Sequence, residues 1–542
     1  MDRSGDRAWA QTPSLPVPSR DWPINGITNM VQYARRFTMN THSSKLKQGV
    51  AVIALLSVIT AACGTPEEKK QDKAAGASAP EGPVTISMMN IYQSAEPPKM
   101  DSEAMKLLQE YTNTKLNITW VPNASYSEKV NASIAAAGEL PQVMLIKDDR
   151  NPAIIEAARA GMFWEVGPYL KDYPNLSKLD KTRFNNIAID GKTYGIYRWR
   201  PIARNGIILR KDWLDNLGLQ EPKTIDDLMN VFKAFTTGDP DKNGKNDTYG
   251  LSLDTGGALF SHFLTELGGP NNWLYKDGAM VPAFMTKEYM DTMKLLRQMF
   301  QDKMINSDFP LVKDRIVLVN QGKAGAYIGA YDDLNARFTD LYKNNPNAKL
   351  DAYPNVQGPA GVRLQGGTGY NSVFMFPKTS VKTEAELKKV LTFMDKLGDE
   401  KVINLVNWGI EGKHYKMENG KAARIDEKVY TDEVYNNLFQ LMVFDNEKML
   451  PGKIDPSVEK YTKFINDNEK YAVMDPTINL ISNTYMEKGK QLDSIIVDAR
   501  TKFIMGELDE KGFEQMVGDW RKNGGDKIIA EYKEQYEKNA KK

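Results

Sequence analysis

The chain is short of the side chains that carry redox, nucleophilic and metal chemistry. Its 542 residues include one cysteine, Cys63, and three histidines, His42, His262 and His414. A single thiol can neither close an internal disulfide nor build a cysteine-rich zinc site. So few imidazoles leave little for a histidine-based metal centre or a histidine-dependent hydrolase, and no G-x-S-x-G is present. The phosphate-cradling patterns G-x-x-x-x-G-K-S/T and G-x-G-x-x-G are also missing, so nucleotide binding has no support. Charge of one sign is lacking too. The 71 basic and 70 acidic side chains leave a formal +1, too little for a global field that draws in nucleic acid or an anionic membrane. No segment is apolar enough for long enough to cross a bilayer comfortably.

What is present suits a soluble α/β protein of more than one lobe. Hydrophobic residues are 41% and charged residues 26%, ordinary for a folded domain. Nine tryptophans and 24 tyrosines are somewhat many, and aromatic faces in a cleft suit flat sugar rings, although most aromatics of any chain serve the core.

The N-terminal region reads as an address. Lys45 and Lys47 precede an apolar run from Val50 to Ala62, interrupted by Ser57 and Thr60 and followed directly by Cys63. A basic start, a short apolar centre and small residues are the parts of an export signal. Met39 opens this signal, 39–62, and residues 1–38 read as an upstream extension or a start error. Ala61-Ala62-Cys63 resembles the end of a bacterial lipobox, with Thr60 where leucine is usual, which implies that Cys63 carries a lipid. Residues 63–83 are a polar tether rich in Ala, Gly and Pro that lets an anchored domain float on the extracellular face of the cell membrane.

From Val84 onward strand and helix patterns alternate. VTISMMNIY (84–92), LNITWVP (116–122) and QVMLI (142–146) read as strands. The segments 102–114, 128–140 and 151–163 have helical spacing between and after them. DGKTYGIY (190–197) predicts a hairpin turning at Asp190-Gly191. NGIILRKDWLDNLGL (205–219) predicts a strand running into a helix, and Thr224 with Asp227 predicts a capping box. Further helices are expected at 286–302, 383–398, 456–467 and 484–506, with Gly524-Gly525 as a stop after 513–523.

DPDKNGKNDTYG (239–250) has the spacing of an EF-hand-like calcium loop. Asp239, Asp241, Asn243 and Asp247 fall at positions 1, 3, 5 and 9, Gly244 at the sharp turn, and Lys245 offers its carbonyl at position 7. Alternating oxygens suit a hard cation held for structural reasons. The bidentate Glu of position 12 is replaced by Gly250, so a remaining ligand falls to water, to Thr248 or to a more distant group.

The order of five segments resembles the family 1 extracellular solute-binding proteins of bacterial ABC oligosaccharide importers. They are 206–235, the 239–250 loop, QGKAGAYIG (321–329), NWGIEGKHY (407–415) and 504–532, and the resemblance spans about 84–536. It implies an α/β, two-lobed type 2 periplasmic-binding-protein fold with a hinge and an interlobe cleft. Lobe one would be 84–203 with 368–425, and lobe two 204–367 with 426–542. It further implies a monomer that binds an oligosaccharide, passes it unchanged to permease subunits, and touches the membrane through its lipid alone.

Candidate sugar contacts are aromatics beside polar side chains in loops after strands or at crossings. Tyr92 with Gln93, Asp148 with Asp149 and Arg150, and Trp199 flanked by Arg198 and Arg200 lie in the first half. Trp273 after Asn271-Asn272, Tyr331 with Asp332 and Asp333, Tyr370 with Asn371, and Trp408 beside Asn407 complete the set. Asp148 or Asp149 could instead cap the following helix. His414 and Glu411 read as structural. Arg198 and Arg200 suit an acidic sugar. Two rival classes remain: a peptide-binding lipoprotein, and a glycoside hydrolase with two carboxylates across the cleft.

Overall fold

The computed structural model describes residues 82–136 and 138–540. The export signal, Cys63 and nearly all of the tether lie outside the described residues. The chain first lays down β1 (Val84–Tyr92), β2 (Thr114–Pro122), β3 (Val143–Ile146) and β4 (Gly195–Trp199), then crosses to a second body. There it forms β5 (Asn205–Arg210), β6 (Tyr249–Leu251), the hairpin of β7 (Trp273–Lys276) and β8 (Ala279–Pro282), β9 (Ala324–Ala330) and β10 (Leu350–Tyr353). It returns through three two-residue strands, β11 (Gln357–Gly358), β12 (Gly361–Val362) and β13 (Leu364–Gln365), into β14 (Tyr370–Met375).

The first sheet has the order β2-β1-β3-β14-β4. β1 runs parallel to β2 in unbroken register from Val84↔Thr114 to Tyr92↔Pro122, and β14 is antiparallel to both its neighbours. Helices cover both faces, so Ile86, Met88, Met89 and Ile91 are all buried and β1 loses the alternation of a half-exposed strand. The second sheet, β10-β5-β9-β6, is mostly antiparallel, although alternating strands and helices favour parallel pairing. β5 is antiparallel to β10 and β9, and only the β6–β9 pair is parallel.

Each sheet has its own core. The first is built on Ile86, Leu145, Phe374 and Leu391, the second on Trp213, Phe232, Phe235 and Phe263. Burying one such aromatic fully contributes about 2–3 kcal/mol, so dozens of these side chains offset the entropy of ordering the chain. Local signals act where expected. The Thr224 hydroxyl accepts from the Asp227 amide while the Asp227 carboxylate accepts from the Thr224 amide, and the helix Ile225–Thr237 starts there.

Three expectations need correction. Residues 426–443 do not belong to the second lobe: Tyr430, Val434, Leu438, Leu441 and Val443 lie in the first core, so that lobe extends well past 425. The Asp190-Gly191 turn exists, with φ of 51° and 79°, but closes only the single bridge Ile189↔Lys192. The strand after it, β4, pairs with β14 because that partner buries it on the sheet. Gly524 does not stop the C-terminal helix. With φ of 139° it kinks the chain, which resumes as the helix Asp526–Ala540.

The passages between the bodies run side by side. Arg200 donates its amide to Gly369 O at 3.1 Å, Gly367 to Ile202 O at 2.8 Å, and Gly366 to Val473 O at 2.9 Å. The Trp199 amide donates to Val443 O at 2.8 Å. This short ladder is the hinge, and the strand ends of both sheets face each other across it.

Candidate ligand-binding cleft

The ends of β1, β3 and β4 and the start of β14 lie at one edge of the first sheet, as their register requires. The start of β5 and the ends of β6, β9 and β10 lie at one edge of the second. Two recesses open between these edges and share Gln365. The larger, about 680 Å³, runs from Arg150 and Ile155 of the first lobe to Thr255–Ala258, Trp273, Trp520 and Tyr532 of the second. The other, about 470 Å³, lies against the hinge between Arg200, Arg204, Arg315, Tyr327, Asp333 and Gly366–Tyr370.

Several expected residues stand at these edges. Tyr92 is half-buried at the end of β1, and Asp148 is exposed just after β3. Neither Asp148 nor Asp149 caps the next helix, since Asn151 accepts the Ala153 amide at 2.9 Å. Asp149 is buried, and the Tyr370 hydroxyl donates to it at 3.0 Å. Burial pushes the Asp149 carboxyl up, while Arg150 and the Tyr370 bond pull it down. Arg150 also donates to the carbonyls of Ala188, at 3.0 Å, and Asn186. Trp199 is half-buried with the Arg183 guanidinium 5.7 Å from its ring centre. Trp273 faces the larger recess, edge-on to Tyr532 at 5.1 Å. Asp332 is exposed and pairs with Arg204 at 2.9 Å, and Asp333 accepts the Tyr327 hydroxyl at 2.6 Å.

Other expected contacts lie elsewhere. Tyr331 is fully buried, its hydroxyl donating to Tyr353 O at 2.6 Å and its ring filling the space above Gly206. It is a wall of the second lobe. Trp408 ends the helix Glu400–Trp408 in a separate small cluster with Tyr415 and Ala422, its indole N–H on Leu450 O at 3.2 Å and Arg424 4.6 Å over its ring. It lines neither recess, because NWGIEGKHY packs as a helix end and turn and not as a cleft loop. His414 is buried beside Glu433, its Nδ1 accepting the Ile410 amide at 3.1 Å. Glu411 is exposed. Asn271 is buried and donates to Gly366 O and Val473 O, both at 2.8 Å, so it fastens the hinge.

The cationic wall is the feature that sequence patterning could not assemble. Arg198 is buried, and its N–H groups meet neutral acceptors: Met442 O at 3.0 Å, Gln440 Oε1 at 3.1 Å and Phe439 O at 3.1 Å. Burial, helped by Arg200, pulls Arg198 down to about 10. Arg200 is half-buried and reaches the Asn371 amide oxygen at 2.8 and 3.1 Å. Burial lowers it as well, then Arg204, while Asp332 and Asp333 raise it. Arg204 and Arg315 have their own partners, Asp332 and Asp254. Beside Arg198 stand Tyr435 and Phe439, exposed and stacked at 4.5 Å and 23°. Their i, i+4 spacing was the available signal; placing that stretch in the other lobe hid it. A π-helical turn, Thr431–Tyr435, sets them there, and such turns recur at functional sites.

The 239–250 loop forms as a closed turn. Asp239 accepts the amides of Asn243 and Gly244 at 2.9 and 3.1 Å, and the Asn243 amide group donates to Asp241 and Asp247 at 2.8 and 3.1 Å. Burial and then the neighbouring carboxylates raise Asp241. The donor set suits calcium, since like charges crowd here. Still, among the described residues no group of three or more Asp, Glu, His or Cys is arranged around a metal position. Thr248 is not an available ligand: its buried hydroxyl donates to Phe235 O at 2.7 Å. Position 12 is glycine because a Cβ on Gly250 would sit 2.5 Å from Phe232 O.

Two α/β lobes joined by a laddered hinge, with a groove between their strand edges, define a solute-binding receptor. The profile of the bacterial extracellular solute-binding proteins matches residues 94–401, and the chain belongs to that family. It is 41% identical over 495 residues to the polygalacturonan/rhamnogalacturonan-binding protein YtcQ of Bacillus subtilis, covering 90% of this chain and 97% of that one. It is 36% identical over 470 residues to lipoprotein LipO of the same organism, covering 84% and 92%. Its fold is similar to the HMO-binding, ABC-transporter-associated solute-binding protein of Bifidobacterium longum infantis, with a TM-score of 0.65 at 18% identity over 84% and 99% of the two chains.

Proposed function

We propose that this chain captures an oligosaccharide outside the cell and delivers it unchanged to the permease of an ABC importer. The observation that carries the reading is the groove itself. Two recesses meet at Gln365, with aromatic side chains and arginines contributed by both lobes. Aromatic faces take the C–H sides of sugar rings, and arginine, asparagine and glutamine take hydroxyls in fixed geometry. Trp273 and Tyr370, which line the recesses, are the contacts we assign first from the earlier set, with Tyr92, Asp148, Trp199 and Asp332 at the strand ends beyond them. The names of the relatives, a polygalacturonan binder and a lipoprotein, support a glycan ligand and a lipid anchor. In this reading Cys63 carries the lipid. A calcium ion held by Asp239, Asp241, Asn243, Asp247 and the Lys245 carbonyl staples the loop of the second lobe.

A ligand touching both lobes favours their closed arrangement, because only that arrangement makes all the contacts. The test combines small-angle scattering, thermal unfolding and product analysis over a panel of plant and host oligosaccharides. A smaller radius of gyration and a higher Tm with the glycan recovered intact are expected. Cleaved products would instead identify a hydrolase, and a response to peptides alone a peptide receptor.

A further inference from the structure

The charge of the hinge-side recess goes beyond glycan capture in general. Resting on the receptor reading above, we infer that this recess is a carboxylate subsite: it takes an acidic unit of the oligosaccharide, a uronate, with Arg200 as the specificity-determining contact and Tyr435 and Phe439 as the stacking platform beside it.

Among the described residues, neither Arg198 nor Arg200 has a carboxylate within ion-pair distance. Four arginines around them do, Arg150 with Asp149, Arg183 with Asp180, Arg204 with Asp332 and Arg315 with Asp254, while Arg363 and Arg500 of the second lobe are held by the carbonyl oxygens of Gly269 and Thr255. A buried cation without a counter-ion is costly, and folding alone gives no reason to keep two of them side by side. Arg198 is already fully engaged, by three carbonyl or amide oxygens of 439–442, and holds that segment in place. Arg200 lines the recess, and the partner of both its terminal nitrogens is the neutral Asn371 amide oxygen. A planar guanidinium with N–H groups to spare matches a carboxylate in bidentate geometry, which a neutral hydroxymethyl group cannot reproduce.

The platform lies alongside. The Arg198 guanidinium carbon is 6.0 Å from the Phe439 ring centre and the Phe439 carbonyl accepts from it, so the aromatic pair and the cationic pair share one support. Tyr435 and Phe439 are about one-third exposed at 37% each, although large aromatics on a surface helix are normally turned inward. Burial raises the Tyr435 hydroxyl, Asp332 of the second lobe raises it further and Arg198 of the first lowers it. A ring stacked there presents its acidic substituent toward Arg200. Asp333 lines the same recess, and Asp332 and Asp333, engaged by Arg204 and by Tyr327, are left to receive hydroxyls.

The test is titration calorimetry on the purified protein with de-esterified oligogalacturonates of three to six units, the same oligomers fully methyl-esterified, and neutral galacto-oligosaccharides. The acidic oligomers are expected to bind at least tenfold tighter than their esters, with affinity falling as salt rises. Arg200→Gln is expected to remove that preference, weakening the acids tenfold or more and the esters by much less. Tyr435→Ala, at an exposed position that folding does not need, is expected to weaken acids and esters alike. If the esters bind as well as the acids, or Arg200→Gln with an unchanged Tm leaves acid binding intact, the carboxylate subsite is wrong while the receptor reading stands. Should Arg200→Gln fail to fold, Arg200→Lys and the acid-to-ester ratio of the native protein decide the question. Neutral glycans binding where acids do not would overturn the subsite alone; no response to any glycan would overturn both.

Discussion

The Tyr370 hydroxyl sits 3.0 and 3.2 Å from the two carboxylate oxygens of Asp149, joining the first residue of β14 to the loop after β3. Both residues are buried at the cleft edge of the first lobe. Burial raises Asp149 more than Arg150 and this bond lower it. A carboxyl whose folded value is raised holds its proton more tightly in the folded chain than in the unfolded one. Its stabilising contribution is therefore complete below the unfolded value, about pH 4, and is lost as the pH rises through the folded value. Asp149→Asn is expected to flatten this part of the stability–pH profile. Tyr370→Phe removes a bond that favours the ionised form, so it should cost about 2 kcal/mol at pH 7 and less at pH 4. Urea unfolding at both pH values measures this, and equal losses would show that the bond does not depend on the ionised carboxylate.

Gly206 tests the second lobe. A Cβ there would lie 1.9 Å from the Tyr331 ring, which is locked by its bond to Tyr353 O at 2.6 Å. Gly206→Ala should destabilise by about 1–3 kcal/mol through overpacking. Tyr331→Phe keeps the ring and loses only the hydroxyl bond, about 1 kcal/mol. A Tyr331→Phe variant with native stability but no glycan binding would return Tyr331 to the ligand contacts.

The loop carboxylates should respond to calcium. Added calcium at about 100 times its Kd would stabilise the folded chain by about 2.7 kcal/mol, seen as a higher Tm reversed by a chelator. Asp241→Asn should abolish the response and leave the Tm in chelator unchanged or slightly higher, because burial, and after it the like-charged neighbours, raise Asp241. A calcium response that survives Asp241→Asn would move the ion elsewhere.

Lipid attachment is tested at Cys63. The Cys63→Ala variant is expected in the culture supernatant, and the native chain in the membrane fraction by metabolic lipid labelling. Membrane retention of Cys63→Ala would require another anchor.

Much of both lobes was legible because the signals are local. The strands at 84–92 and 205–210, the Thr224–Asp227 capping box and the helices near 287–301 and 483–505 depend on periodicity and caps, and they form close to where the sequence puts them. The cleft was legible only in part. Trp408 and Tyr331 have the chemistry of sugar contacts, and neither sequence position reveals that the ring is already enclosed by its own lobe.

The sequence by itself determined the short list of possible chemistries, the alternation of strands and helices, and the spacing of oxygens in the 239–250 loop. Only the tertiary structure decided which arginines remain without a carboxylate, because ion pairing joins residues as far apart in the chain as Arg204 and Asp332. It also decided that 426–443 completes the first lobe and brings Tyr435 and Phe439 to Arg198. Periodicity records which side of a helix is apolar, whereas the partner that covers it, or leaves it open to a ligand, is fixed by how distant segments pack.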